Sequence, residues 1–443
     1  MTDFLASRQN PVLTQRPEDL NQRLGAIDRY FGSSWLAQKG DHPLQLLWER
    51  SDPLATVELL NFGNALLKLD NIDDKWTAEQ VAKVKDGDIG QRQGAIFEIL
   101  ALSLFPDGQC EIIPAAESQP GYDATLKLLD GTPVLVSLKN HGISSYEEYF
   151  KEQAAKTDEI FQNSLKKIAK TGIEIRVLSP VSLNSEAEWN SLRSDIEKCV
   201  DAIVTKSDFA LTGNWSIVTK NLNGHDPLSP RYLTSSCFIA SLIHKSEQNK
   251  FIDDIRKGFD NLVKQTKDLD KDICRVVFLR LSQTASIPKC TEWARWYFSE
   301  YPSDPISMII LYQTSVTTTA NGQQSEVSHF IIPILGPHYA KWSNQGTGRT
   351  RRLPGFSVYV GGVATEPTRN ILTDGSVEIN MSDFYVYQRA DVYQLVQVVE
   401  GAELNLSNPA TGVLIHADLE KNGKSVGLVS TRSHRYKELL MLP

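Results

Sequence analysis

From residue 89 to residue 104 apolar side chains recur at helical spacing, and from residue 110 to residue 138 they recur as strands, a switch that limits the fold more than any other feature. The helix ends before Pro106-Asp107-Gly108, a stop signal. Three strands are predicted next. Residues 110–114 form a short one; residues 122–129 alternate apolar and polar positions up to the turn Asp130-Gly131; residues 133–138 are largely apolar, as a central strand requires. Past His141-Gly142 the pattern predicts a long helix over 145–169, capped by Ser144 or Ser145. A strand over 173–178, stopped by Ser179-Pro180, and a helix over 186–204 complete what reads as one α/β layer.

A chain of 443 residues has room for two or three domains. Leu20, Leu24, Ile27, Tyr30 and Phe31 recur at helical spacing, and residues 56–69 form another amphipathic stretch. The polar run Asp70-Asn71-Ile72-Asp73-Asp74 reads as a hinge. These signals divide the chain into a helical region over 1–75, the α/β unit over 76–208, and a third region over 209–443. The last alternates helix 246–266, strand 272–281, helix 291–301 and strand 305–314, then turns strand-rich from Ser325, with candidates at 357–363, 384–387 and 411–416. Arg349, Arg351 and Arg352 form a basic cluster beside Gly346-Thr347-Gly348. The third region is read as a target-recognition or regulatory unit, so a fragment ending near residue 205 is expected to retain the chemistry of the second region but to lose selectivity or become poorly regulated.

The net charge of -8 counts against a protein that coats nucleic acid by nonspecific phosphate contact, but not against an enzyme with an acidic metal site and a local basic groove. Five scattered cysteines argue against a disulfide framework and a cysteine-based zinc site. Apolar runs fall well short of a membrane span, and Met1-Thr2-Asp3-Phe4-Leu5 shows no secretory signal, so a cytoplasmic, non-membrane protein is expected. The glycine pairs fit no phosphate loop, and no G-x-S-x-G elbow occurs.

The chemistry concentrates in the second region. Glu98 stands in the apolar helical segment Gly94-Ala95-Ile96-Phe97-Glu98-Ile99-Leu100, where a carboxylate is costly unless paired or bound to metal. Asp123 opens one strand; Ser137-Leu138-Lys139 closes the next, with Ser137 and Lys139 on one face. A hairpin would bring Asp123 beside Lys139, with Glu98 reaching them from its helix. Such a set suits phosphodiester hydrolysis. Asp123 and Glu98, with the backbone carbonyl of Leu138, are hard oxygen ligands for Mg²⁺ or Mn²⁺, and Lys139 supplies a positive charge for the transition state. Ser137 would take a weaker, uncharged part. Asn140 and His141, just past the triplet, are candidates for contact with the scissile phosphate or a base.

The run Glu98 … Gly121-Tyr122-Asp123 … Ser137-Leu138-Lys139 resembles the PD-(D/E)xK superfamily of restriction-endonuclease-like nucleases, over roughly residues 85–205. The resemblance implies an α/β fold with a mixed-sheet core flanked by helices. It implies catalysis by Glu98, Asp123 and Lys139 and an accessory role for Gln153 on the following helix. Tyr122 stands where the family has Pro, and Ser137 where it has a second acid. The function implied is a Mg²⁺-dependent endonuclease, most simply a homodimer on double-stranded DNA. A restriction enzyme or another prokaryotic anti-invader system fits, with an additional defence-system subunit if ATP-driven movement is needed. Two alternatives stay open: a catalytically decayed fold that binds nucleic acid or acts as a scaffold, and a ribonuclease.

Overall fold

The computed structural model describes residues 17–50, 53–115, 121–170, 172–203, 209–221, 235–264, 266, 273–282, 285–318, 325–344, 351–360, 362–364, 371–374, 377–388, 395–399, 402–406, 417–421 and 424–428. Among them the architecture is mixed α/β, helical towards the N-terminus and strand-rich towards the C-terminus.

Six helices come first: α1 (Pro17–Phe31), α2 (Ser33–Leu36), α3 (Pro43–Glu49), α4 (Pro53–Ile72), α5 (Asp74–Asp86) and α6 (Ile89–Ser103). Leu59, Leu60, Phe62, Leu66 and Leu69 are all buried on α4, so this helix is the hub that the others surround. The polar run 70–74 is a helix junction rather than a domain hinge. Asp70 accepts hydrogen bonds from Tyr30 and Arg29 of α1, and Asp73 caps α5 by accepting from the Trp76 N–H. A capping box starts α6, with Asp88 accepting from the Gln91 N–H and the Gln91 side chain accepting from the Asp88 N–H. One core runs from Leu24 through α4 and α6 onto the sheet, across the boundary expected at residue 75.

The larger sheet has seven strands in the order β1-β2-β3-β8-β9-β10-β11. They are β1 (Cys110–Pro114), β2 (Ala124–Leu128), β3 (Pro133–His141), β8 (Cys274–Leu281), β9 (Met308–Thr318), β10 (Ser325–Leu335) and β11 (Gly362–Ala364). β3 is antiparallel to β2 and parallel to β8. Val134, Val136 and Leu138 face the core shared with the N-terminal helices; Leu135 faces the core shared with α9 (Glu247–Lys264) and α10 (Ile287–Glu300). Helices therefore cover both faces, and β8, buried at every residue, is a central strand.

Between β3 and α9 the chain leaves this sheet to build a second one, in the order β14-β7-β4-β6-β5. It comprises β4 (Ile173–Ser179), β5 (Phe209–Thr212), β6 (Ser216–Asn221), β7 (Ser236–Leu242) and, returning late, β14 (Phe384–Gln388). α7 (Ser145–Lys167) and α8 (Glu186–Ile203) pack on it through Phe150, Phe161, Trp189 and Ile196. This corrects the single layer expected over 89–204: β4 belongs to the second sheet, because its apolar face meets α7 and α8 rather than the helices over β3. Both sheets draw strands from either side of residue 208, so the expected division there cuts through each of them.

After α11 (Pro337–Asn344), the strand expected over 357–363 is reduced to the short β11. The remaining pairs are hairpins: β12–β13 (Ile371–Asp374, Val377–Asn380), β15–β16 (Leu395–Val399, Ala402–Leu406) and β17–β18 (Ala417–Lys421, Lys424–Leu428). The strand expected over 411–416 lies outside the described residues. None of the five cysteines is in a disulfide. Among the described residues no helix is long and apolar enough to cross a membrane.

The topology reverses the expectation for a fragment of residues 1–205. Such a fragment leaves β3 without β8 along Val134–His141 and without α9 over Leu135. Its thermal melt, followed by circular dichroism, is predicted to lack a cooperative transition; a sharp two-state melt would contradict this assembly.

Candidate functional site

The β2–β3 hairpin turns at Asp130-Gly131, where Gly131 has φ 82 and the Asp130 carboxylate accepts from the Thr132 N–H at 2.9 Å. Register fixes the opposite end. Ala124 lies across from Val136, which places Asp123 beside Ser137. The Asp123 N–H donates to the Val136 carbonyl at 2.9 Å, and the Asp123 carbonyl accepts from the Ala115 N–H at 2.9 Å. The residue is tied to both neighbouring strands just where its ladder ends.

The Asp123 carboxylate accepts two hydrogen bonds on Oδ2, from the Leu138 N–H at 2.5 Å and the Ser137 hydroxyl at 3.2 Å. Burial drives its pKa above the ordinary carboxylate value. The opposing influences, in decreasing order, are the Lys139 ammonium, the Leu138 N–H, the Ser137 hydroxyl and the Lys83 ammonium of α5. The Lys139 charge is thus felt at Asp123, and Ser137, fully buried, gives its hydroxyl to Asp123. Lys139 shares the α9 side of the strand with Leu135 and Ser137. A Cβ on Gly258 of α9 would lie 2.8 Å from a Val277 methyl, so glycine lets the helix come close over β8, and 3.5 Å from Lys139 Cγ, an ordinary contact with the lysine stem.

Glu98 is half-buried on α6, and α6 covers the Val134–Val136–Leu138 face through Phe97. It therefore rides on the side of the sheet opposite Ser137 and Lys139. Asn140 shares the α6 side by strand alternation, and its Oδ1 is buried with no hydrogen-bond partner among the described residues. An unmet buried acceptor costs about 1–3 kcal/mol, which marks a place for a cation or a water. The Leu138 carbonyl leaves β3 on the same side as its N–H, towards Asp123, because the two groups of one strand residue face one neighbour.

No protein-family model, curated protein or solved structure matches this chain. The chemistry is therefore read from these residues alone. Among the described residues no three or more His, Cys, Asp or Glu side chains gather as a metal-binding group. At the end of β3 the Asp123 carboxylate takes the Leu138 N–H, while the unpartnered Asn140 amide oxygen lies on the opposite, α6 side of the strand. Hard oxygens of this kind could hold Mg²⁺ or Mn²⁺ and have little affinity for softer metals.

The other expected residues sit elsewhere. His141 is buried and its Nδ1 lies 2.9 Å from Asp254 Oδ2, with Lys257 donating to Asp254 Oδ1 at 3.0 Å. Burial opposes the Asp254 charge, yet the hydrogen bonds from His141 and Lys257 outweigh it and hold its pKa below the ordinary value. His141 thus pins α9 to β3 and has no surface for a phosphate. Gln153 lies in the second core, where its side chain accepts from Arg193 of α8, because α7 packs on the second sheet and not on β3. Arg351 pairs with Asp130 at the turn, the far end of the hairpin from Asp123. Arg349 and Gly346 to Gly348 lie outside the described residues.

Sequence reasoning missed Lys83, Asp254, Gly258 and Arg280. Arg280 pairs in register with Asn140, is buried on the α6 side with its guanidinium over Phe97, and has its pKa pulled down to about 10 by burial. Asp254 had a usable signal: it stands among Phe251, Ile252, Ile255 and Leu262 on the buried stripe of α9, the same anomaly that singles out Glu98.

The raised Asp123 pKa has a signed consequence. Its contribution to stability is complete below the unfolded-state carboxylate pKa and is lost as pH rises through the raised folded value. As pH rises, ionising this carboxylate in the metal-free protein works against its desolvation. Asp123→Asn is therefore predicted to raise the Tm in chelator at pH 8 by roughly 2–4 °C, and by less near pH 4. Differential scanning calorimetry at the two pH values checks this; a variant that melts lower at pH 8 contradicts it.

Proposed function

We propose that this chain is a metal-dependent nuclease that hydrolyses phosphodiester bonds at the end of β3. The observation that carries the reading is a half-buried Asp123 carboxylate that feels the Lys139 charge and takes the N–H of Leu138, with the unpartnered Asn140 oxygen two residues further along β3. A divalent cation, when bound there, supplies an acidic water and neutralises phosphoryl charge. Asp123 holds its position through the two hydrogen bonds on Oδ2, leaving Oδ1 as the ligand oxygen. Asn140 Oδ1 and Glu98, the second carboxylate that the resemblance implies, lie on the α6 side and would act on such a cation through an intervening water rather than across the sheet. Lys139 places a compact positive charge where the transferring phosphoryl group gains negative charge. Its stem runs beside α9 at Gly258.

The wider setting rests on the family resemblance stated above. It comprises double-stranded DNA as substrate, a symmetric homodimer that supplies one site per strand, and a cytoplasmic role in restriction or another prokaryotic anti-invader system, with a further defence-system subunit where translocation is needed. Parallel assays on matched DNA and RNA duplexes and single strands separate the deoxyribonuclease from the ribonuclease.

One observation favours a second reading, a decayed nuclease fold that binds nucleic acid without cutting it. Ser137 brings no charge, and its hydroxyl is already given to Asp123. Cleavage in Mg²⁺ or Mn²⁺ that disappears in chelator supports the enzyme; intact substrate under both conditions, with binding retained, supports the second reading.

Two sets of variants test the assignment in single-turnover cleavage. Lys139→Ala is predicted to leave folding and substrate affinity nearly intact while slowing cleavage by roughly 100-fold or more, with Lys139→Arg recovering only part, since a planar guanidinium does not replace a point charge. Unimpaired chemistry in folded Lys139→Ala removes the central role of the lysine. Ser137→Ala is predicted to cost little activity. Ser137→Asp sets a second carboxylate against Asp123, so it should lower the Tm in chelator and steepen the Mg²⁺ dependence of both stability and rate. A Ser137→Asp protein indifferent to Mg²⁺ contradicts the metal position.

A further inference from the structure

A cleft of about 290 Å³ opens on the second sheet, away from Asp123 and Lys139. It lies just past the carboxyl ends of β4 and β7, which are adjacent and parallel, the position where α/β sheets most often take ligands. Its size is at the lower end of the range for small-molecule sites. Among the described residues the walls are aromatic and polar and carry no Asp, Glu, Lys or Arg. Tyr146, at the start of α7, stacks on His244, just after β7, with ring centroids 3.9 Å apart and planes 13° from parallel. Tyr146 is 40% exposed, so its ring is open to a ligand from solvent. Tyr149 and Tyr385 also line the cleft, and Ser182 and Asn184 add donors and acceptors at its edge.

The cleft is also built rigidly. The Tyr385 hydroxyl donates to Glu247 and accepts from the His244 N–H at 3.3 Å, and the Ser144 hydroxyl donates to the same Glu247 carboxylate. The ring pair is thereby fixed to the first turn of α9, the helix that reaches His141 and Lys139 further along.

We propose that this cleft binds the planar ring of a nucleobase, brought either by a free nucleotide or by a nucleic-acid strand. A stack of flat rings is sequence-tolerant towards bases and gives affinity without charge. The Asn184 amide and Ser182 hydroxyl match the mixed donor and acceptor edge of a base, whereas an uncharged lining offers nothing to a phosphate or a metal ion. The inference extends the nucleic-acid reading above, and it is tested by binding alone, so its failure leaves Lys139-dependent cleavage to stand or fall separately.

The experiment is calorimetric titration of the full chain in chelator with the four nucleoside monophosphates, with ribose 5-phosphate, and with a short single-stranded oligonucleotide in intact and abasic forms. At least one base-bearing probe is expected to bind saturably, and ribose 5-phosphate and the abasic strand not to. Binding of a free monophosphate assigns the cleft to a nucleotide; binding of the intact strand alone assigns it to a base within a strand. Tyr146→Ala should weaken that binding about ten-fold or more, while Tyr146→Phe stays within about two-fold of wild type and Lys139→Ala has no effect. Asn184→Ala, at an exposed position, should change the preference among bases and serves if Tyr146→Ala fails to fold. The proposal is overturned if no base-bearing probe binds, if ribose 5-phosphate or the abasic strand binds equally well, or if Tyr146→Ala and Asn184→Ala, folded by their thermal melts, both bind as wild type does.

Discussion

β3 has β2 antiparallel on one side and β8 parallel on the other, and both neighbours are needed to shape its last three residues. The β2 side ends at Asp123, whose carboxylate takes the N–H of Leu138 where the ladder stops. The β8 side continues to His141, paired with Leu281, and so keeps Lys139 and Asn140 in extended conformation beyond the hairpin. A parallel partner cannot follow a tight turn and needs a long crossover. Here the crossover carries β4 to β7 of the second sheet with its helices, and α9 returns from it to lie over β3. The geometry around Lys139 is therefore a product of chain elements far apart in sequence, held by the β3–β8 ladder and by the His141–Asp254 contact.

Charge is arranged unevenly around that strand end. On the α9 side, Asp254 is stabilised in its ionised form by two donors, which makes it structural and quiet. Asp123 is left the other way: burial outweighs two hydrogen bonds and two ammonium groups, so its charge is unsatisfied. An added cation would relieve exactly that imbalance in sign. Functional sites commonly concentrate such uncompensated groups, while ion-pair networks elsewhere in a fold are compensated. The unpartnered Asn140 oxygen on the neighbouring residue is a second feature of the same kind.

What the sequence made legible follows the range of the forces involved. The start of α6 was readable because Asp88 and Gln91 cap it locally, and β1 and the β2–β3 turn were readable from short apolar runs and Asp130-Gly131. The placement of Asp123 beside Ser137, at the same strand end as Lys139, was readable because hairpin register is also local. Burial was readable without its direction: Glu98 stands out in an apolar helix, but nothing near it says which face of the sheet that helix covers. Gln153 shows the same limit, since helical spacing buries it without saying whether β3 or the second sheet lies opposite. The alternation in β4 announces a strand, yet its choice of β6 and β7 over β3 depends on pairings made tens of residues away. Gly258 and Asp254 become meaningful only once α9 is seen over β3.

The central claim is that the end of β3 binds a divalent cation through Asp123, and anomalous diffraction from a Mn²⁺-soaked crystal tests it most directly. The account predicts a single strong peak at bonding distance, roughly 2.1 Å, from an Asp123 carboxylate oxygen, with the Leu138 carbonyl or Asn140 Oδ1 among its neighbours, and no peak there in Asp123→Asn crystals. A Mn²⁺ peak bound elsewhere, with the Asp123 carboxylate still held only by Ser137 and Leu138, would contradict it.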